Sequence, residues 1–310
     1  MSSYREQVSQ LVLGSLWSMW AEFGVSGWDR YHQDSALDLE ALILTTARLG
    51  HRDARLRSEA LDWCVAHGRI ASVVRIKRLL ASADQPTRDS FGWFAATVNA
   101  HTHLRWPGAT SPQAFTRTGR SSAPVMTRPA LLQLRLRALW GVSARAEVLR
   151  VMLTEGERFM GVSEVAAAAA YGKDAVADAL DSLHRGGLLE GTGMRNQHVF
   201  RLHRREQFTD LLETLPDPEH SQPWQDILPL MAGFMEAADL AGTPSMARAA
   251  EIQRRWREWQ PTLARLGAAT PHPGTGGDFL RGYERITLGA LERWSGRMSS
   301  RANPSLAGNS

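Results

Sequence analysis

Four places in the chain hold side chains that could do chemistry. His101 and His103 stand two residues apart, so in a strand their imidazoles would share a face and could ligate a metal ion. No thiol or carboxylate accompanies them in sequence, which favours a polar helix end or loop. Gly14-Ser15, with Asp38 and Glu40 further on, supplies residue types used in metal-assisted nucleotidyl transfer, where carboxylates on adjacent strands hold the ions. Here the Gly-Ser lies inside a helical apolar run, and Asp38 and Glu40 read as helix-start charges. Gly274-Thr275-Gly276-Gly277 has no strand before it and no Lys-Ser/Thr after it, so it reads as a loop and not a phosphate cradle. Trp256 and Trp259 among Arg254, Arg255 and Arg257 could stack on bases; helix packing beneath an arginine-rich solvent face is the simpler reading. With no GxSxG elbow either, no enzyme, cofactor or metal site is expected.

Charge is more informative in its distribution than in its sum. The formal net charge is +4. Between Ser90 and Ala146 there is no Asp or Glu, while Arg105, Arg117, Arg120, Arg128, Arg135, Arg137 and Arg145 all fall there. Arg195, Arg201, Arg204 and Arg205 follow, with His198 and His203 between them. An acidic stretch, Glu206 to Glu251, comes next. Lys77 and Lys173 are the only lysines, so the basic groups are overwhelmingly planar forks suited to phosphates and base edges. A basic block flanked in this way is the footprint of a phosphate-binding surface.

The elements that must position these groups are mainly helical. Leu13, Leu16, Trp17, Trp20 and Phe23 form one apolar helix face. Further helices are expected at Leu37–Leu49, Ala54–His67 and Val73–Leu80, the first two closed by Gly50 and Gly68. The expected fold class is mainly α, and the division is as follows. An N-terminal helical bundle covers 1–105, and a Pro/Ser/Thr/Arg linker without regular structure covers 106–129. A central domain spans 130–206, opened by a helix from Leu131 to Trp140. A helical C-terminal region over 207–298 is broken by Pro216, Pro218, Pro223 and Pro229 and again near Pro271 and Pro273. A disordered tail covers 299–310. The single Cys64, in an apolar run, reads as a core residue and excludes an internal disulfide. The apolar run Leu11–Phe23 is too short and too polar to span a membrane, and no signal peptide is evident. A cytoplasmic location is therefore expected.

The segment from Ser143 to Arg204 has the clearest order. Val148, Leu149, Met152 and Leu153 form a helical stripe that ends at Gly156. Ser163 is the expected cap of a short alanine-rich helix. Tyr171-Gly172 makes a turn, and Lys173 starts a helix whose buried face is Val176, Ala179, Leu180 and Leu183. Gly186-Gly187 ends that helix. Leu188-Leu189 starts a strand, Gly191 to Gln197 reads as a loop, and Val199, Phe200 and Leu202 form a returning strand. Helix, helix, turn, helix and hairpin is the order of a winged helix-turn-helix with a small β-hairpin wing.

On Val165, Ala168, Gly172, Ala179, Leu180, Leu183, Gly187 and Leu188-Leu189, this segment resembles the DNA-binding domains of MarR- and ArsR-type bacterial repressors. The resemblance covers about 60 of the 310 residues. It implies that the third helix enters the major groove of double-stranded DNA, presenting Lys173, Asp174, Ala177 and Asp178. It also implies that the wing offers Arg195, Asn196 and Gln197, with Arg201 behind them, to backbone or minor groove. ArsR-type metal ligands are not apparent. The expected function is a DNA-binding transcriptional regulator, a repressor acting as a homodimer on a palindromic site. Asp174, Asp178 and Asp181 oppose this, because phosphates repel them. The alternative expectation is an antitoxin-like or defence-associated protein, similar in broad plan to the AbiEi antitoxin type, whose main partner is a protein.

Overall fold

The computed structural model describes residues 3–194, 197–267 and 276–296; the expected tail from Ser299 to Ser310 lies outside them. The chain is mainly helical and carries one small three-stranded antiparallel sheet. In order the elements are α1 (Tyr4–Glu22), α2 (Leu39–Leu49), α3 (Ala54–His67), α4 (Val73–Ser82) and α5 (Gln85–His101), then α6 (Leu132–Trp140) and α7 (Ala144–Thr154). Next come β1 (Met160–Gly161), α8 (Val162–Ala169), α9 (Lys173–Arg185), β2 (Leu189–Met194) and β3 (Gln197–Leu202). The last four helices are α10 (Arg205–Leu212), α11 (Trp224–Ala238), α12 (Ser245–Arg265) and α13 (Gly276–Trp294). Two compact units result. One contains residues 1–19, 29–31 and 223–310; the other contains 20–28 and 32–222.

The caps explain most helix starts. Asp38, Asp53, Ser72, Asp84 and Ser143 each accept a backbone amide of the first turn of α2, α3, α4, α5 and α7. The linker region forms no helix or strand from Thr102 to Arg128, yet it is pinned along the neighbouring helices. Thr110 N–H donates to the Gly92 carbonyl, Gln113 N–H to Thr97 Oγ1, and Ser122 N–H to the Gly24 carbonyl. Trp106 is buried, stacked 6.1 Å from Phe91 and 6.5 Å from Phe94.

Residues 32–222 enclose a buried ionic cluster that the sequence does not announce. Arg75 on α4 and Arg137 on α6 have side chains with 0 % exposure. Arg137 reaches Glu40 Oε1 of α2 at 2.6 Å and Glu147 Oε1 of α7 at 2.6 Å. Arg75 bonds Glu147 Oε2 at 2.5 Å, pairs with Asp38, and lies 3.1 Å from Glu40 Oε2. Gln133 bridges Glu40 and Glu147, and accepts the Leu39 amide at 2.9 Å. Asp38 and Glu40 thus do more than sit at a helix start: they are two of the acids that neutralise two buried guanidiniums. Arg137, counted among the basic block, is consumed here. Such a cluster ties α2, α4, α6 and α7 together through directional bonds, since losing any one member strands a buried charge.

In residues 144–202, α7, α8 and α9 pack their apolar faces together, with Val148, Leu149, Val165, Val176 and Leu180 all at 0 % exposure. The sheet has the order β1-β3-β2. Met160 pairs with Phe200, and Leu189 to Met194 pair with Leu202 to Gln197 in antiparallel register. Two expectations are corrected here, and one strand is new. Ser163 lies inside α8, whose cap position is Gly161. The chain from Gly191 to Met194 is strand and not loop, because cross-strand pairing to β3 holds two glycines in extended backbone. The two-residue strand β1 carries no alternation of its own and exists only through its pairing to β3.

The unit containing residues 223–310 is built on aromatic contacts. Phe234 of α11 meets Trp259 of α12 edge-on at 5.0 Å and stacks on Trp294 of α13 at 6.3 Å. Trp256 is buried at 2 % exposure, and Arg254 and Arg255 pair with Glu251. The tryptophan-arginine run is therefore a packing face with a solvated edge. Pro229 does not break the chain as expected; α11 runs through it. The lost amide bond is one turn into a helix whose Ile227, Leu228, Met231 and Phe234 are fully buried, and that burial outweighs it.

Candidate nucleic-acid interface

The site begins with the turn before α9. Tyr171 is buried; its hydroxyl meets Ser72 Oγ at 2.8 Å, and its carbonyl accepts from Arg78 Nη2 at 3.0 Å. Both partners come from the chain around α4, so α4 fixes the height at which α9 starts. Gly172 is the cap residue, and Lys173 and Asp174 open the first turn. Asp174 there is favourably placed toward the positive end of the helix dipole.

From that start α9 divides cleanly. Val176, Ala179, Leu180 and Leu183 face the core, while Lys173, Asp174, Asp178, Asp181 and Arg185 are exposed and Ala177 is half-exposed. The four residues expected to read bases, Lys173, Asp174, Ala177 and Asp178, thus share one open face. No ion pair among the described residues occupies Asp174, Asp178 or Asp181. The cations around the helix are Lys173 and Arg185 on α9 itself, Arg78 at its start, and Arg145 of α7, which donates to Ser182 Oγ at 3.2 Å. Arg78 escaped the sequence reading because it lies almost a hundred residues away along the chain.

The residues expected in a wing fare differently. Arg195 and Asn196 lie outside the described residues. Gln197 starts β3 and pairs with Met194 across the hairpin. Arg201 sits on β3 with its Nε 2.7 Å from Glu190 Oε2, and its guanidinium lies 4.7 Å from the centroid of the Phe159 ring. His203 Nδ1 lies 2.6 Å from the other Glu190 oxygen. Hydrogen bonds from Arg201 and His203 hold the Glu190 carboxyl below its ordinary range. Arg201 is therefore tied within the sheet and not grouped with the α9 face. Arg205 is likewise engaged, donating to the carbonyls of Leu153 and Pro216.

His101 ends α5 and its ring lies 5.2 Å from that of Phe115. Among the described residues no group of three or more His, Cys, Asp or Glu could hold a metal ion, and no helix is long and apolar enough to cross a membrane. No protein family, curated protein or solved structure matches the chain.

Proposed function

We propose that residues 144–202 are a winged helix-turn-helix, that α9 is its recognition helix, and that the protein is a DNA-binding transcriptional regulator acting as a homodimer. One observation carries the reading. The order helix, strand, helix, helix, strand, strand comes with the sheet order β1-β3-β2, and α9 presents one face with no protein covering it. An α-helix offered this way fits the major groove of B-form DNA. Arg78, Arg145, Lys173 and Arg185 supply the positive charge needed at the groove edges.

A second reading has its own support. Asp174, Asp178 and Asp181 give the open face of α9 a line of unpaired carboxylates. These suit a basic protein partner better than a phosphate backbone, as in the antitoxin-like alternative.

The test is a binding titration of the full chain against the DNA upstream of its own gene at low and moderate salt. Binding that weakens steeply with salt, and weakens further in Lys173→Gln and Arg78→Gln, supports the regulator reading. Absence of binding at low salt would sink it. Tighter DNA binding by Asp178→Asn, where like-charge repulsion is removed, would place α9 against phosphate. Loss of a co-purified protein in the same variant would favour the second reading.

A further inference from the structure

A second group of arginines lies apart from α9, on the end of α3 and the ordered segment beside it. Gly68 opens a 3-10 turn, Gly68–Ile70, directly after α3. A β-carbon at Gly68 would stand 3.1 Å from Leu104 Cδ1 and 3.1 Å from Trp106 Cζ2, so the chain at 104–106 lies against that turn. Arg69 follows Gly68, and Arg105 stands between the two touching residues, so these two exposed arginines lie on adjoining stretches of chain. A little further along, Asp62 Oδ1 of α3 accepts the amides of Thr118 and Gly119 at 2.7 and 3.0 Å. This clamp sets Arg117 and Arg120, both exposed, beside the same helix.

His67 lies near Arg117 and Arg69; its pKa is lowered by burial and then by those two charges, against a smaller opposing effect of Asp62. The two carboxylates that α3 carries on its later turns, Glu59 and Asp62, are buried at 8 % and 1 % exposure. Asp62 spends its charge on two backbone amides. Arg69, Arg105, Arg117 and Arg120 have no ion pair to a carboxylate among the described residues; Arg105 only donates to the Leu104 carbonyl. Unpaired guanidiniums carried on an ordered backbone repel one another, and a bound polyanion relieves that repulsion.

We propose that Arg69, Arg105, Arg117 and Arg120 form a phosphate-binding strip for the backbone of duplex nucleic acid. Two observations select nucleic acid over an anionic membrane. Arginine forks match phosphate oxygens two at a time. Interfacial binding also needs apolar anchors, and the segment 101–122 that carries three of the four arginines exposes no large apolar side chain, the nearest exposed ones along the chain being Trp93 and Val125. The strip also leads toward α9: Ser72, three residues after Arg69, bonds Tyr171 at the turn that starts α9. The strip reads no sequence and does not require α9 to enter a groove, so it stands or falls separately from the regulator reading.

The experiment follows fluorescence anisotropy of a labelled duplex of unrelated sequence, about 30 base pairs long, with the full chain over a range of salt. The proteins are wild type, the variant with all four arginines changed to Gln, the variant with all four changed to Lys, and Lys173→Gln/Arg185→Gln. Each phosphate contact contributes about 0.9 to the slope of log affinity against log salt. The Gln variant is expected to lower that slope by roughly 3 to 4 and weaken low-salt binding at least about tenfold, whereas the Lys variant keeps most of both. If the Gln variant does not fold, Arg117→Gln/Arg120→Gln, outside any helix, should lower the slope by about two. An unchanged slope in a folded variant overturns the strip, as does absence of wild-type binding at low salt. Loss confined to Lys173→Gln/Arg185→Gln leaves the regulator reading intact and overturns only the strip. Loss of co-sedimentation with phosphatidylserine vesicles, with duplex binding unaltered, assigns the arginines to a membrane instead and overturns it too.

Discussion

Glu147 illustrates how much one residue can carry. Though burial alone would raise it, its carboxyl is held far below its ordinary range by the Arg137, Arg75 and Arg150 guanidiniums. A carboxyl with a depressed folded pKa contributes stability that is complete above its unfolded pKa, about 4.5, and is lost as pH falls toward the folded value. Urea midpoints should therefore hold steady at and above pH 6 and fall as the medium is acidified below about 4.5. Glu147→Gln should destabilise by about 3–5 kcal/mol at pH 7, because two buried arginines lose a counter-charge. Its deficit relative to wild type should shrink at pH 3; a deficit independent of pH would show that Glu147 is not held ionised. Cys64 gives a second residue-scale expectation. Its thiol is fully buried, and burial pushes its pKa well up. Thiol reagents such as Ellman's should label it only once denaturant unfolds the chain, since the thiolate is the reacting species. Rapid labelling of the native protein would contradict that burial.

At the scale of elements, the segment from Thr102 to Arg128 is ordered without being regular. Its proline content removes amide donors, and the amides of Trp106, Thr110, Gln113, Thr118, Gly119 and Ser122 bond to the chain of α3, α5 and the turn after α1. Asp62 is the chief clamp, and Asp62→Ala should release the Thr118 and Gly119 amides. We expect trypsin to cut at Arg117 and Arg120 several-fold faster in that variant, with a loss of global stability of about 1 kcal/mol. Equal cleavage rates would mean that other bonds hold the segment. The α9 face tells a complementary story. Its burial pattern was legible, because Val176, Ala179, Leu180 and Leu183 recur at helical spacing. Its surroundings were not, because Arg78 reaches Tyr171 across more than ninety residues of chain.

For the whole molecule, the charge map changes once partners are counted. Of the seven arginines between Ser90 and Ala146, Arg137 is buried, Arg128 is paired with Glu22 and Arg135 donates to the Leu212 carbonyl. Arg105, Arg117, Arg120 and Arg145 remain exposed. Of that block, Arg145 lies beside α9, Arg105, Arg117 and Arg120 lie on the segment along α3, and the other three arginines are engaged within the fold. If the chain regulates transcription from a palindromic site, sedimentation equilibrium should give twice the chain mass at micromolar concentration. A monomer at that concentration, with DNA binding intact, would restrict it to a single half-site.

The sequence by itself determined what depends on near neighbours: the helices of α2, α3 and α9, the glycines that end them, the returning strand, and the burial of Cys64. Periodicity and capping act over one to a few turns, so they are written locally. It left out α5, although Asp84 and Pro86 mark that helix's start. Tertiary structure alone decided which charges are free. Asp38, Glu40, Arg75, Arg137 and Glu147 look like ordinary surface residues until four helices converge and remove their water. Burial and pairing are properties of what lies across the fold, and no spacing along the chain encodes them directly.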